Sequence, residues 1–140
     1  MYRPICWPLI RTISSVWSQA FRRDSPPDCP EVSRLSIALE SGETTFTTGL
    51  ILQELLQGFN GPKSVSRIIG HFDPLPLLTP RRSDHIEAAK LRNECRRKGV
   101  QIGTIDALLA RLCIVHNLTM LSADTDFRRI ARHSNLQVWQ

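Results

Sequence analysis

The sequence predicts an α/β domain, a strongly helical chain around a small parallel sheet. Short apolar or β-branched runs alternate with amphipathic stretches, which is the pattern of successive strand–helix units. The chain has 140 residues, 41% apolar and 22% charged, enough for one domain over residues 1–140 with its own core. No apolar run approaches the ~20 residues that cross a bilayer. The longest candidates, 107–110 and 112–115, are split by Arg111. Composition also excludes collagen, coiled coil and wholesale disorder.

The first unit holds a strand within Leu9–Val16 and a short helix over Trp17–Arg23. Ser25-Pro26-Pro27-Asp28 reads as a loop, with Asp28 as an N-cap and Glu31 closing a capping box. The helix that follows carries Val32, Leu35, Ile37, Ala38 and Leu39 and stops at Ser41-Gly42. Thr44 to Thr47 is β-branched and aromatic, hence a strand. Thr48 or Gly49 opens a helix with Leu50, Ile51, Leu52, Leu55 and Leu56, ending near Gly58. Asn60-Gly61-Pro62 is a turn that sets Pro at the start of a helix reaching about Phe72. Leu75 to Leu78 is a short strand, and Pro76 assigns it to a sheet edge.

Ser83 caps a long helix to Lys98, closed by Gly99. Thr104 caps the next helix, whose apolar residues are Ile105, Leu108, Leu109, Leu112, Ile114 and Val115. Leu118 to Leu121 is a strand, Asp124 to His133 a helix and Leu136 to Trp139 a last strand.

The net charge is +5, from 18 basic and 13 acidic residues. That balance favours an anionic partner. The cations cluster at Arg22-Arg23, Arg81-Arg82, Arg96-Arg97-Lys98 and Arg128-Arg129, and each cluster reads equally well as a solvated helix end. Cys6, Cys29, Cys95 and Cys113 form no C-x-x-C, so they read as reduced thiols of a cytoplasmic protein. The apolar stretch after Met1-Tyr2-Arg3 is short, holds Pro4 and Pro8, and meets Arg11 at once, which argues against an export signal.

Four acidic residues stand at element ends or alone on apolar faces. Glu54 interrupts an apolar helix, Asp106 lies in a helix first turn, and Asp124 and Asp126 directly follow a strand. In an open parallel sheet such positions converge on the crevice at the strand ends. Gathered carboxylates repel one another and are tolerated around a hard divalent cation such as Mg²⁺. Singly, each has a plainer reading. Asp106 complements a helix dipole, Asp124 is a natural N-cap, and Glu54 faces solvent.

Four segments together resemble a known family. They are Ser14-Ser15-Val16-Trp17-Ser18 through Phe21-Arg22, Thr47 through Gly58 around Glu54, Gly103 through Ala110 around Asp106, and Leu121 through Phe127 around Asp124. In order and spacing they are similar to PIN-domain ribonucleases, specifically the VapC-type toxins of toxin–antitoxin pairs. The resemblance implies a PIN-like three-layer α/β/α sandwich and a metal-dependent endoribonuclease that uses Mg²⁺ or Mn²⁺. It also implies a cognate antitoxin, an RNA substrate, a homodimer, a cytoplasmic location and no membrane partner. By position Glu54, Asp106 and Asp124 carry over as catalytic, metal-binding acids, with Asp126 as a further metal-site carboxylate. Ser14, Thr104 and Ser122 carry over as supporting hydroxyls.

One departure is plain. The family's first acid precedes a Thr/Ser-Ser/Asn pair. Here the pair is Ser14-Ser15 and the residue before it is Ile13, which cannot ligate a metal. The pattern is lost over residues 1–13, as expected if a frame change has joined a foreign N-terminus to an intact body. Two rival readings follow: a catalytically impaired PIN-like module that binds antitoxin or RNA, and a phosphate-binding regulatory domain. The second requires Glu54, Asp106 and Asp124 to lie far apart.

Overall fold

The computed structural model describes the backbone of residues 12–14 and all atoms of residues 16–21 and 29–140. Five parallel strands, β1 (Thr12–Ser14), β2 (Thr45–Thr48), β3 (Leu77–Leu78), β4 (Thr119–Leu121) and β5 (Gln137–Val138), form a sheet in the order β3-β2-β1-β4-β5. The helices are α1 (Trp17–Ala20), α2 (Pro30–Glu40), α3 (Gly49–Gly58), α4 (Pro62–Phe72), α5 (Arg82–Arg97), α6 (Thr104–Val115) and α7 (Thr125–Ala131). The α/β expectation therefore holds, with boundaries moved by one to three residues. The predicted strand before residue 12, the loop at residues 25–28 and the Asp28 cap lie outside the described residues.

The strand order has one consequence for function. From β1 the chain winds outward one way through β2 and β3, and the other way through β4 and β5. The direction changes between β1 and β4, and parallel sheets open a ligand crevice at that point. Thr12, Ile13 and Ser14 pair with Thr119, Met120 and Leu121, so both strands deliver their C-terminal ends there.

Local chemistry explains most elements. Thr48 Oγ1 accepts a hydrogen bond from Ile51 N–H at 3.2 Å and starts α3 directly off β2. Pro62 at the first turn of α4 wastes no donor. Gly42 and Gly99 take φ of 74° and 81° just beyond α2 and α5, left-handed conformations that glycine adopts without strain. β3 is an edge strand, as Pro76 required, and the Pro76 carbonyl accepts from Thr47 N–H at 3.0 Å.

The core centres on α6, which buries Ala107, Leu108, Leu109, Ala110, Leu112 and Cys113. It packs against α5 and against Met120 and Leu121 of β4. Burial pushes the Cys113 thiol up, so it is an inert core residue. Arg111, the charge that breaks the apolar run, lies 3.2 Å from Asp84 of α5. Asp84 is 4% exposed, and its second oxygen accepts from Arg81 N–H at 2.8 Å. Ser83 is therefore not the cap. The cap position is Arg81, and Asp84 reaches back to satisfy it.

Candidate functional site

Two helix starts, those of α6 and α7, meet at the switch point. Asp106 is the third residue of α6, after Gly103 in the cap position and Thr104 and Ile105. Asp124 caps α7, its carboxylate accepting from Asp126 N–H at 2.9 Å. Ser122, 2% exposed at the end of β4, accepts through Oγ from Asp124 N–H at 3.0 Å and so fixes the turn that carries Asp124. One carboxylate oxygen from each of Asp106, Asp124 and Asp126 lies within 4.8 Å of the other two.

Glu54 completes the group from the second turn of α3. It lines the same cavity as Asp106 and Asp124, a cleft of about 620 Å³. The other walls are Trp17, Ser18 and Gln19 of α1, Ile51, Leu55 and Phe59 at α3, and Phe127 of α7. Half-burial raises the Asp106 carboxyl above the usual carboxylate range, and the charges of Asp124, Asp126 and Glu54 push it further the same way. Among the described residues no Lys or Arg lines this cavity. Among the described residues, Arg129 pairs with the acidic group, 3.7 Å from Asp126.

The donors that converge are all carboxylate oxygens. That set suits a hard, oxygen-seeking divalent ion and not a thiolate- or imidazole-preferring one. Two lining residues also hold buried polar atoms without a hydrogen-bond partner among the described residues, Trp17 Nε1 and Gln19 Oε1. Buried groups of this kind are met by water or by a bound molecule.

Of the residues named from sequence, Asp106, Asp124 and Asp126 come together, Glu54 lines the same cavity, and Ser122 holds the turn that carries Asp124. That arrangement removes the reading that required them far apart. Thr104 departs from expectation. It is the first helical residue and not the cap, and it lines a separate cavity of about 210 Å³ with His85 and Asn93. Gly103, free of a side chain, takes the cap position instead. Ser14 contributes backbone pairing opposite Leu121, and its side chain lies outside the described atoms. Ile13 stands between Phe46 and Met120 in the register, at the strand end beside the crevice.

Trp17, Ser18, Gln19 and Phe59 were not anticipated as cavity walls. Trp17, Ser18 and Gln19 lay inside the first of the resembling segments without a role, and Phe59 lay one residue beyond the segment that ends at Gly58.

The sequence profile of the PIN domain family matches residues 14–133. No curated protein matches by sequence. Among solved structures, the chain is similar to VapBC2 from Rickettsia felis bound to a DNA fragment from its promoter. The TM-score is 0.67 at 20% identity, covering 92% of this chain and 97% of that one. It is similar to FitAB bound to IR36 DNA, with TM-score 0.72, 20% identity and 92% and 93% coverage. It is also similar to VapBC-1 from nontypeable Haemophilus influenzae, with TM-score 0.65, 18% identity and 93% and 96% coverage. With the profile match running from the last residue of β1 to just beyond α7 and the acids gathered at the switch point, the chain belongs to the PIN domain family.

Proposed function

We propose that this chain is the toxin of a toxin–antitoxin pair and a metal-dependent endoribonuclease that hydrolyses RNA phosphodiester bonds. The observation that carries the reading is the trio Asp106, Asp124 and Asp126 within 4.8 Å, with Glu54 on the same cavity. Asp106, Asp124 and Asp126 would hold Mg²⁺ or Mn²⁺. Glu54, exposed at the rim, would orient the attacking water. Ser122 keeps Asp124 in place through its backbone. A bound ion supplies charge stabilisation on the phosphate and lowers the pKa of its water. The complexes VapBC2, FitAB and VapBC-1 support an antitoxin as the protein partner. A homodimer in the cytoplasm, with the whole chain acting as one domain, belongs to the same reading. No described helix is long and apolar enough to cross a membrane.

Ile13 favours a second reading, in which the module binds antitoxin or RNA without cleaving it. The test is cleavage of total RNA by purified protein with Mg²⁺ or Mn²⁺, beside Ile13→Asp, Asp106→Asn and an EDTA control. Cleavage by the parent that is lost in Asp106→Asn supports the nuclease. A silent parent with an active Ile13→Asp variant means that one missing ligand disables the scaffold. Silence in every arm, with an antitoxin still bound, refutes the nuclease reading.

A further inference from the structure

Lys63, Arg67 and His71 recur every four residues along α4 and share one exposed face. Each step is about 6 Å along the helix axis, comparable with the spacing of successive phosphates on a strand. None of the three forms an ion pair with a described residue.

The stripe is joined to the carboxylate cavity by a layer of rings. The Arg67 guanidinium carbon lies 5.0 Å from the centroid of the Phe21 ring, and the His71 ring lies 5.5 Å from it. Phe21 stacks on Trp17 at 5.9 Å and meets Phe59 edge-on at 6.4 Å. Trp17 and Phe59 are walls of the cavity. One buried aromatic ring therefore separates Arg67 and His71 from the residues that line the acidic cleft.

A cleft lined by carboxylates repels a polyanion. A substrate with a phosphate backbone needs positive charge along its approach, and that charge has to lie outside the cleft yet close to it. The Lys63–Arg67–His71 face meets both conditions. We propose that this face is the track that holds the RNA backbone flanking the bond to be cut. The proposal rests on the RNA-cleavage reading above. Arg67 is its anchor. The Phe21 ring beneath it holds the guanidinium plane in place, and its N–H donors remain available to phosphate oxygens. Arg67 binds substrate away from the reacting atoms, so its loss acts on KM and not on kcat.

The test uses a labelled single-stranded RNA in EDTA, with anisotropy read across a salt series. The parent is compared with the Lys63→Gln/Arg67→Gln double variant, and with Arg96→Gln/Arg97→Gln at the far end of α5 as a control. The logarithmic salt slope of the double variant is expected to fall by about 1.4, from about 0.7 for each lost phosphate contact on a single strand. The control keeps the parent slope. With Mg²⁺ or Mn²⁺ present, the double variant raises KM and leaves kcat in place. Arg67→Lys, which keeps the charge, restores most of the slope, and a failure of that rescue overturns the proposal. Equal slopes and equal KM in parent and double variant overturn it while RNA cleavage stands. A parent that neither binds nor cleaves RNA refutes the cleavage reading itself. Loss of antitoxin binding in the double variant with RNA binding intact assigns the stripe to a protein and also overturns the proposal.

Discussion

Removing one charge from the acidic cleft should stabilise the metal-free protein. In Asp106→Asn a half-buried carboxylate with two others within 4.8 Å becomes neutral. Each pair at that distance costs about 0.9 kcal/mol at the dielectric of water and about 3.5 kcal/mol at an effective dielectric of 20. Asp124 is exposed, which sets the cost near the lower figure. Two pairs then amount to roughly 2 kcal/mol, from which about 0.3–1 kcal/mol is subtracted for the lost charge in the first turn of α6. A net gain of about 1 kcal/mol remains, or roughly 3 °C in Tm for a chain of this length.

The pH dependence gives the sign. Asp106 has a folded-state pKa above its unfolded value, so the folded state binds its proton more tightly. Stability of the parent therefore falls as pH rises from the ordinary carboxylate value through the raised one. The advantage of Asp106→Asn is full above that window and absent below it. Urea denaturation in EDTA from pH 3.5 to 8 measures both. A variant no more stable than the parent at pH 7, or an advantage that persists at the acid end, refutes the account. Added Mg²⁺ or Mn²⁺ should reverse the order, because the parent gains binding energy that the variant lacks.

Other expectations are simpler. Arg111→Met leaves Asp84 charged, buried and short of a partner, and should cost about 2–3 kcal/mol in chemical denaturation. Asp84 itself is held below the usual carboxylate range, first by Arg81 N–H and then by Arg111. Its contribution is present above the ordinary carboxylate pKa and lost as pH falls through the depressed value, so Asp84→Asn should flatten the acid limb of a stability–pH curve. Thr48→Ala removes the cap of α3 and should cost about 1 kcal/mol, read as a fall in the urea midpoint at unchanged slope. Leu112→Ala opens a cavity at a fully buried position, and a loss of about 2–5 kcal/mol by the same measurement is expected.

Much of the site was legible in the sequence because capping is local chemistry. Asp124 beside a strand end and Asp106 in a first turn announce helix starts through residue type alone. Helix starts just after parallel strands sit at the crevice. Glu54 stood out because nothing apolar explained it. What local rules could not supply were partners distant in the chain. Ser83 has the right chemistry for a cap, yet the cap position is Arg81, whose N–H is met by Asp84, a carboxylate that Arg111 pairs from twenty-seven residues on. Thr104 has the same chemistry, yet Gly103 precedes it in the cap position. Trp17 and Phe59 became cavity walls only through the docking of α1 and α3 around Phe21, which no periodicity encodes. The Lys63–Arg67–His71 face of α4 was not among the cation clusters read from sequence, and its nearness to the acids depends on that same ring layer.

The outward winding of the sheet from β1 also sets a timetable. β1 pairs with β4 across about a hundred residues of chain, a separation that slows folding because loop closure precedes any reward. During synthesis β1 and β2 can meet early, but the side of β1 facing β4 stays open until residue 119 has emerged. Asp124 and Asp126 follow a few residues later. The carboxylate trio is thus among the last features to assemble, and a nascent or truncated chain that stops before Asp124 carries Glu54 and Asp106 without the residues that complete their cluster.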